Sequence, residues 1–488
     1  MRRRAKIAGT LGPACDDERT LGRLVRAGLD VARLNFSHGE AAEHECRVRR
    51  LRKASRKAGR SVALMADLQG PRFRIGRLKG GELELVEGSS VELVAGKTEA
   101  PAGKLPVSYA ALAEDVRRGN TILIDDGKVE LKVERVRGSV VRCVVARGGL
   151  VTDRKGINLP GVDVSVPTIT PKDRNDLRVA VGLGADWLAI SFVRSGDDIR
   201  HARRLLKRAG ADLPVMAKIE RPEAIDRLDE ILNEADGALV ARGDLGVELP
   251  TEEVPMLQKQ IIDAASALGK PAMTATQMLE SMRYARRPTR AEASDVANAV
   301  LDGSSSLLLT AETAAGKYPV DAVRTMDRII VRAESSRRTR PAPEPRGELS
   351  VSLATTHAAC RAAIDVGARY LVAFTCTGST AYQVARFRPA VPILAVTPSP
   401  AVERSLHAQW GVQPLGVPMF KTIEKLMEAL DRALLDRSLA RAGETVVVIG
   451  GSPVGLPGTT NVIKVHQVGS ALGPVAAPKK RAARKRKN

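Results

Sequence analysis

Eight short apolar runs, each followed by a stretch of helical spacing, constrain this chain more than anything else in it. Three come early: KIAGT (6–10), VARLNFS (31–37) and VALMADL (62–68). Five come later: WLAISF (187–192), PVMAKI (214–219), GALVAR (237–242), PAMTAT (271–276) and SLLLT (306–310). Between them Leu, Val and Ala recur at the period of an amphipathic helix, as in TEEVPMLQKQIIDAASALG. Eight β/α repeats predict a closed (β/α)8 barrel of the TIM type.

The texture differs from about 71 to 167. Segments such as ELELVEG, SVELVAG and TILIDDGKVELKVERVRG alternate in polarity, end at glycines and lack helical spacing. This predicts a small all-β module inserted after the third barrel strand. RRTRPAPEPRGE (337–348) reads as a linker. YLVAFT (370–375), PILAVT (392–397), TVVVIGG (445–451) and NVIKVHQV (461–468) then predict an open α/β sheet behind a helix near 351–366. The expected domains are 1–70 with 168–340 (barrel), 71–167 (β insertion), 348–472 (C-terminal α/β) and a disordered basic tail, 473–488.

The net charge of +21 is uneven: seven positives fall in the last ten residues, KKRAARKRKN. A solvated tail is the favoured reading, with polyanion contact the alternative. Dispersed positives elsewhere and 3% aromatic content argue against a nucleic-acid binder and suit small anionic substrates. No apolar run approaches the length of a membrane span, and MRRRAKIAGTLG lacks a signal's apolar core. Five scattered cysteines without metal-ligand spacing read as reduced thiols of a cytoplasmic protein.

Barrel enzymes place their chemistry at the C-terminal ends of the strands. Read in order, those ends carry Arg33, Asn35, Ser37 and His38, then Asp67, Ser191 and Phe192, Lys218 and Glu220, Arg242 and Asp244, Thr276, and Glu312. Lys218 and Glu220 are two apart on one strand and so share a face. Arg242 and Asp244 would do the same if their strand ran on through Gly243. Two carboxylates beside a lysine and an arginine suit a divalent cation and a phosphorylated, acidic substrate. Salt-bridged strand ends are the plainer alternative. The backbone around Gly243 either opens a helical turn whose N–H groups take an anion or simply needs glycine to turn.

At this point the chain resembles the pyruvate kinase family over about 6–470, in RLNFSHG (33–39), DLQGP (67–71), KGINLPG (155–161), ISFVR (190–194), AKIE (217–220), ARGDLGVELP (241–250), PTRAEASDVANAVLDG (288–303) and ETAAGKYP (312–319). The resemblance implies conversion of phosphoenolpyruvate and ADP to pyruvate and ATP in glycolysis. It also implies a barrel-shaped β lid, a regulatory C-terminal domain and a homotetramer. It implies that Glu220 and Asp244 hold Mg2+ (or Mn2+) and that Lys218 stabilises the phosphoryl group in flight. Arg33 and Lys172 would serve the phosphate, and Gly243 and Asp244 the substrate carboxylate. Thr276 would lie near the carbon that is protonated, with a water relay as donor. Asn35, Ser37, His38, Arg74 and Lys155 fall at nucleotide-contacting positions. The rival is another Mg2+-dependent TIM-barrel enzyme acting on phosphoenolpyruvate or a 2-oxo acid, which would lack the insertion and KGINLPG.

The chain departs from the family in places. The family's K+ site uses Asn, Ser, Asp and a Thr; here Asn35, Ser37 and Asp67 remain but Leu68 replaces the Thr, with Gln69 and Arg72 further on. Members that do not need K+ carry Lys where Arg72 stands. This predicts catalysis without K+, Arg72 acting as an internal cation, against the alternative of a solvent-facing Arg72 and an ordinary K+ site. Thr310-Ala311 stands where the family has Ser-Gly. Thr375, Thr377, Gly378, Ser379 and Thr380 resemble a loop for an effector's phosphate, but Cys376 and Ser379 fill its usual cationic positions. A sugar monophosphate or AMP is one expectation, a vestigial loop the other.

Overall fold

The structure is a computed structural model that describes residues 3–336, 349–420, 422–453, 455 and 458–473. The Pro- and Arg-rich linker and, apart from Gly473, the basic tail lie outside these residues. The described residues fall into two compact units, one of 3–336 with 407–410, the other of 349–406 with 411–473.

In the first unit eight parallel strands close into a barrel in chain order, strand one pairing with both strand two and strand eight. They are Lys6–Thr10, Val31–Asn35, Ala63–Asp67, Trp187–Ile190, Val215–Ile219, Gly237–Ala241, Ala272–Ala275 and Ser306–Leu309. Strands three to eight are buried at every residue, which is why they read as unbroken apolar runs rather than alternating ones. Register sets the rim: Asn35 pairs with Asp67, which pairs with Ala189, while Ile190 pairs with Ala217 just before Lys218. Trp187 is fully buried, and the His407–Trp410 segment packs with the barrel, Gln409 Nε2 donating to the Gly269 carbonyl at 3.1 Å.

The chain leaves the barrel after strand three through Gly70, whose φ of +67° and closeness to Ser191 leave no room for a side chain. Seven strands between Phe73 and Asn158 form the inserted sheet, and Glu82–Leu85 with Gly149–Thr152 a two-stranded ribbon. The bridge Ile75↔Val107 joins the two edge strands, so the sheet curls on itself as a small barrel does. Its core, including Leu93, Leu105, Ile122, Leu131 and Val141, is separate from that of the large barrel. One turn of helix, Leu112–Asp115, interrupts a module read from sequence as wholly β; four residues are too few to show a period.

The second unit carries a five-stranded sheet in the order Val412–Gly416, Ile393–Thr397, Leu371–Phe374, Thr445–Gly451, Thr460–Gln467, parallel except for the last pair. The edge strand Val412–Gly416 escapes sequence reading because it contains Pro414 and ends in glycine, both tolerated at an edge. The Val351–Asp365 helix begins where expected.

Candidate active site

Lys218 and Glu220 do share a face. Lys218 Nζ lies 2.8 Å from Glu220 Oε1, 2.6 Å from Ser191 Oγ and 3.3 Å from Asp67 Oδ1. Burial alone would lower the ammonium's pKa, but Asp67 and Glu220 outweigh it and raise it, so the lysine stays charged. Asp67 is held below the usual carboxylate range: burial opposes this, and Lys218 and Arg33 override it. Arg33 Nε meets Asp67 Oδ2 at 2.6 Å, and its Nη1 donates to Thr10 Oγ1 at 3.0 Å.

The second residue past strand four fixes the second acid. Phe192 sits at φ +55°, and its N–H donates to Glu220 Oε2 at 2.6 Å. Such a left-handed residue costs roughly 1–3 kcal/mol, and it turns a backbone donor onto a carboxylate at the barrel mouth. Thr276 and Gln277 carry the same conformation at the end of strand seven, φ +71° and +52°. The Thr276 hydroxyl accepts the Gly243 N–H at 2.8 Å and donates to the Ala275 carbonyl.

Strand six does not run on. It stops at Ala241, and Arg242–Glu248 forms a short helix, so Gly243 does sit in a helical turn, although its N–H is given to Thr276, and the shared-face reading of Arg242 and Asp244 does not hold. Arg242 bonds Asp295 Oδ1 at 2.6 Å and the carbonyls of Ala275 and Thr276. It braces the helix instead of joining Lys218. Asp244 stays with the cluster: burial and then Glu220 push its carboxyl up to about 7, with Lys218 and Arg72 only partly offsetting them. Buried Glu220 and half-buried Asp244, both facing one lysine, form a donor set suited to a divalent cation. No group of three or more His, Cys, Asp or Glu suited to a metal occurs among the described residues. A pair of carboxylates fits Mg2+, which usually completes its shell with water and substrate oxygens.

The K+ donors fit less well. Leu68 offers only its carbonyl, which already accepts from Ser191 Oγ at 2.7 Å. Asn35 Oδ1 takes the Ser37 N–H at 3.1 Å, and Arg33 occupies one oxygen of Asp67. Exposed Arg72 makes its charge felt at Asp244 and, with Arg74, at His38, whose pKa is lowered by burial and by these arginines.

A cleft of about 360 Å³ opens between the inserted module and the barrel, bounded by Arg72, Arg74, Lys155, Phe192, Asp244 and Glu248. Lys155 is held by Asp125 at 2.9 Å. Lys172 is not brought to the Lys218 cluster; it bonds the Phe36 carbonyl at 2.8 Å and Asp176 at 2.5 Å. In the second unit, Thr375, Thr377, Ser379 and Thr380 line a cavity of about 100 Å³ at the start of the Ser379–Arg386 helix. The Gly378 N–H is spent on Thr375 Oγ1 at 2.8 Å. Lys464, on the edge strand, also lines this cavity and supplies a cation that the loop sequence did not show. Sequence reasoning likewise assigned no role to the Ser191 hydroxyl, although ISFVR placed it at a strand end.

Residues 2–323 match the family described as pyruvate kinase, barrel domain, and residues 353–466 that described as pyruvate kinase, alpha/beta domain. The chain belongs to the pyruvate kinase family. The pyruvate kinase of Mycobacterium tuberculosis is 45% identical over 471 residues, 96% of this chain and 99% of that one. That of Geobacillus stearothermophilus is 42% identical over 479 residues, 97% of this chain and 81% of that protein. The crystal structure of a pyruvate kinase from Cryptosporidium parvum superposes with a TM-score of 0.88 at 33% identity, covering 96% of each chain. Eight pyruvate kinase strands, the inserted module and the second unit therefore all have counterparts in known family members.

Proposed function

We propose that this pyruvate kinase family member moves the phosphoryl group of phosphoenolpyruvate to ADP, giving pyruvate and ATP, with Mg2+ held by Glu220 and Asp244. The convergence of Lys218, Glu220, Ser191 and Asp67 within hydrogen-bonding distances at the barrel mouth carries this reading. A phosphoryl group in a loose transition state needs positioning and charge neutralisation more than covalent help. The Lys218 ammonium supplies a fixed positive charge in a site largely closed to water. Bound Mg2+ would neutralise the transferred group and the enolate oxygen left behind. Arg33 stands beside the lysine for the phosphate, Gly243 and Asp244 for the carboxylate, and Thr276 for delivery of a proton to the enolate carbon through water. Arg74 and Lys155, which line the cleft, would contact the nucleotide together with Asn35, Ser37 and His38; Lys172, held by Phe36 and Asp176 away from the Lys218 cluster, has no direct role with the phosphate. The inserted module acts as a lid that keeps water from the phosphoryl group.

Arg72 takes the place of K+, supported by the poor fit of Leu68 and the occupied oxygens of Asn35 and Asp67. The hydroxyls around Gly378, with Lys464, make a place for one phosphate of an effector in a homotetramer that works in the cytoplasm. No helix among the described residues is long and apolar enough to cross a membrane. A coupled assay for pyruvate tests the central reading. Formation that requires phosphoenolpyruvate, ADP and a divalent cation together is expected; turnover without ADP, or without a divalent cation, rejects it.

A further inference from the structure

One hydrogen bond ties the lid to the helix that carries Asp244. Asn158 ends the lid strand Gly156–Asn158, whose preceding residue is Lys155. Its Nδ2 donates to Glu248 Oε1 at 3.0 Å. Glu248 is the last residue of the Arg242–Glu248 helix, and Gly243 and Asp244 lie in the first turn. Seven residues make a rod about 10 Å long. The barrel fixes one end of this rod: Arg242 grips Asp295 and two carbonyls, and the Gly243 N–H meets Thr276. The lid fixes the other end through Asn158.

The chemistry at that end is costly for a packing contact. Glu248 is 9% exposed, and its Oε2 is buried without a hydrogen-bond partner among the described residues. Burial raises its carboxyl pKa, with Arg221 and Asn158 offsetting only part of the effect. A buried acid with a single hydrogen bond is worse than an apolar residue if only a core is needed. Neighbouring lid contacts run mainly from side chain to backbone, Arg221 to the Val162 carbonyl at 2.9 Å and Arg194 to those of Val164 and Val166, with one exposed ion pair, Arg194 to Asp163 at 3.7 Å. The backbone contacts hold the returning chain whatever its side chains are, and the Asp163 pair is solvent-exposed and weak. Asn158 to Glu248 is a contact between side chains that reaches the Asp244 helix.

We propose that Asn158 and Glu248 are a positioning pair that aligns the Asp244 helix with the nucleotide side of the lid when the lid is shut. The inference rests on the assignment of Asp244 and Lys155 made above. Neither residue touches a reacting atom. The pair sets where the two substrate halves meet, so its loss should fall on turnover more than on phosphoenolpyruvate binding.

Reversing the donor tests this in the full-length enzyme. Asn158→Asp sets two carboxylates against each other on an otherwise isosteric lid. Glu248→Gln keeps an acceptor for Asn158. The double variant restores the bond with the amide and carboxylate exchanged. Loss of a hydrogen bond to a charged group predicts that kcat of Asn158→Asp falls on the order of tenfold or more. KM for phosphoenolpyruvate should shift by less than about threefold, and the melting temperature of Asn158→Asp should fall and recover in the double variant, while Glu248→Gln stays near wild type and the double variant regains most of kcat. An Asn158→Asp enzyme within about twofold of wild-type kcat, or a double variant no better than the single one, overturns the pair. Either result leaves the active-site reading untouched, because that reading stands or falls on the wild type's need for ADP and a divalent cation.

Discussion

Replacing Lys218 by Met removes one charged group and leaves its surroundings crowded with acid. The Nζ contacts Ser191, Glu220 and Asp67 at 2.6, 2.8 and 3.3 Å, and the residue is 8% exposed. Two routes give the catalytic cost. Deleting one well-placed donor to a developing oxyanion loses about 3–4 kcal/mol, or roughly 10²- to 10³-fold in kcat. A unit charge about 4 Å from the transferred group at an effective dielectric near 20 gives about 4 kcal/mol. The routes agree. The cost in stability is smaller than for an isolated buried pair, because Asp67 keeps Arg33 and Glu220 keeps the Phe192 N–H. Added Mg2+ should restore much of the lost melting temperature by giving Glu220 and Asp244 a cation again. The assay is pyruvate formation at saturating substrates beside thermal melts with and without Mg2+. A folded Lys218→Met enzyme that keeps more than about a tenth of wild-type kcat would refute the argument.

The wild type should turn over in K+-free buffer, and Arg72→Glu should become dependent on added K+; strong activation of the wild type by K+ would reject the role of Arg72. Asp30 is fully buried, yet Arg3, Lys6 and Arg60 overcome burial and hold its carboxyl at about 2. That contribution, about 2 kcal/mol, is present above its unfolded pKa and is lost as pH falls from about 4 toward 2. Asp30→Asn should therefore lower stability at neutral pH and flatten its acid limb in denaturant titrations. Burial pushes the thiols of Cys15, Cys143 and Cys360 up to about 11, 12 and 12, so they should resist alkylation at neutral pH in the native protein. Only half-buried Cys46 and Cys376 should label, as counted by intact mass.

Much of the barrel was legible because parallel strands buried on both faces leave continuous apolar runs, and their polar ends mark the mouth. Lys218 and Glu220 follow from a period of two. Arg242 did not, since that period ends with the strand at Ala241 and a helix turns the side chain toward Asp295. Ser191 reaches Lys218 through the register of strands four and five, which no local pattern encodes. Glu248 and Asn158 lie 90 residues apart, and Lys464 lies across a sheet from the loop whose cavity it lines. Such pairings depend on how distant elements dock, so spacing within one element carries no trace of them.

The lid keeps an apolar interior of its own, and both tryptophans of the chain, Trp187 and Trp410, lie in the barrel unit outside it. Indole emission therefore reports on the barrel alone. A lesion such as Leu131→Ala would melt the lid and silence the enzyme while the fluorescence trace stayed that of a sound protein.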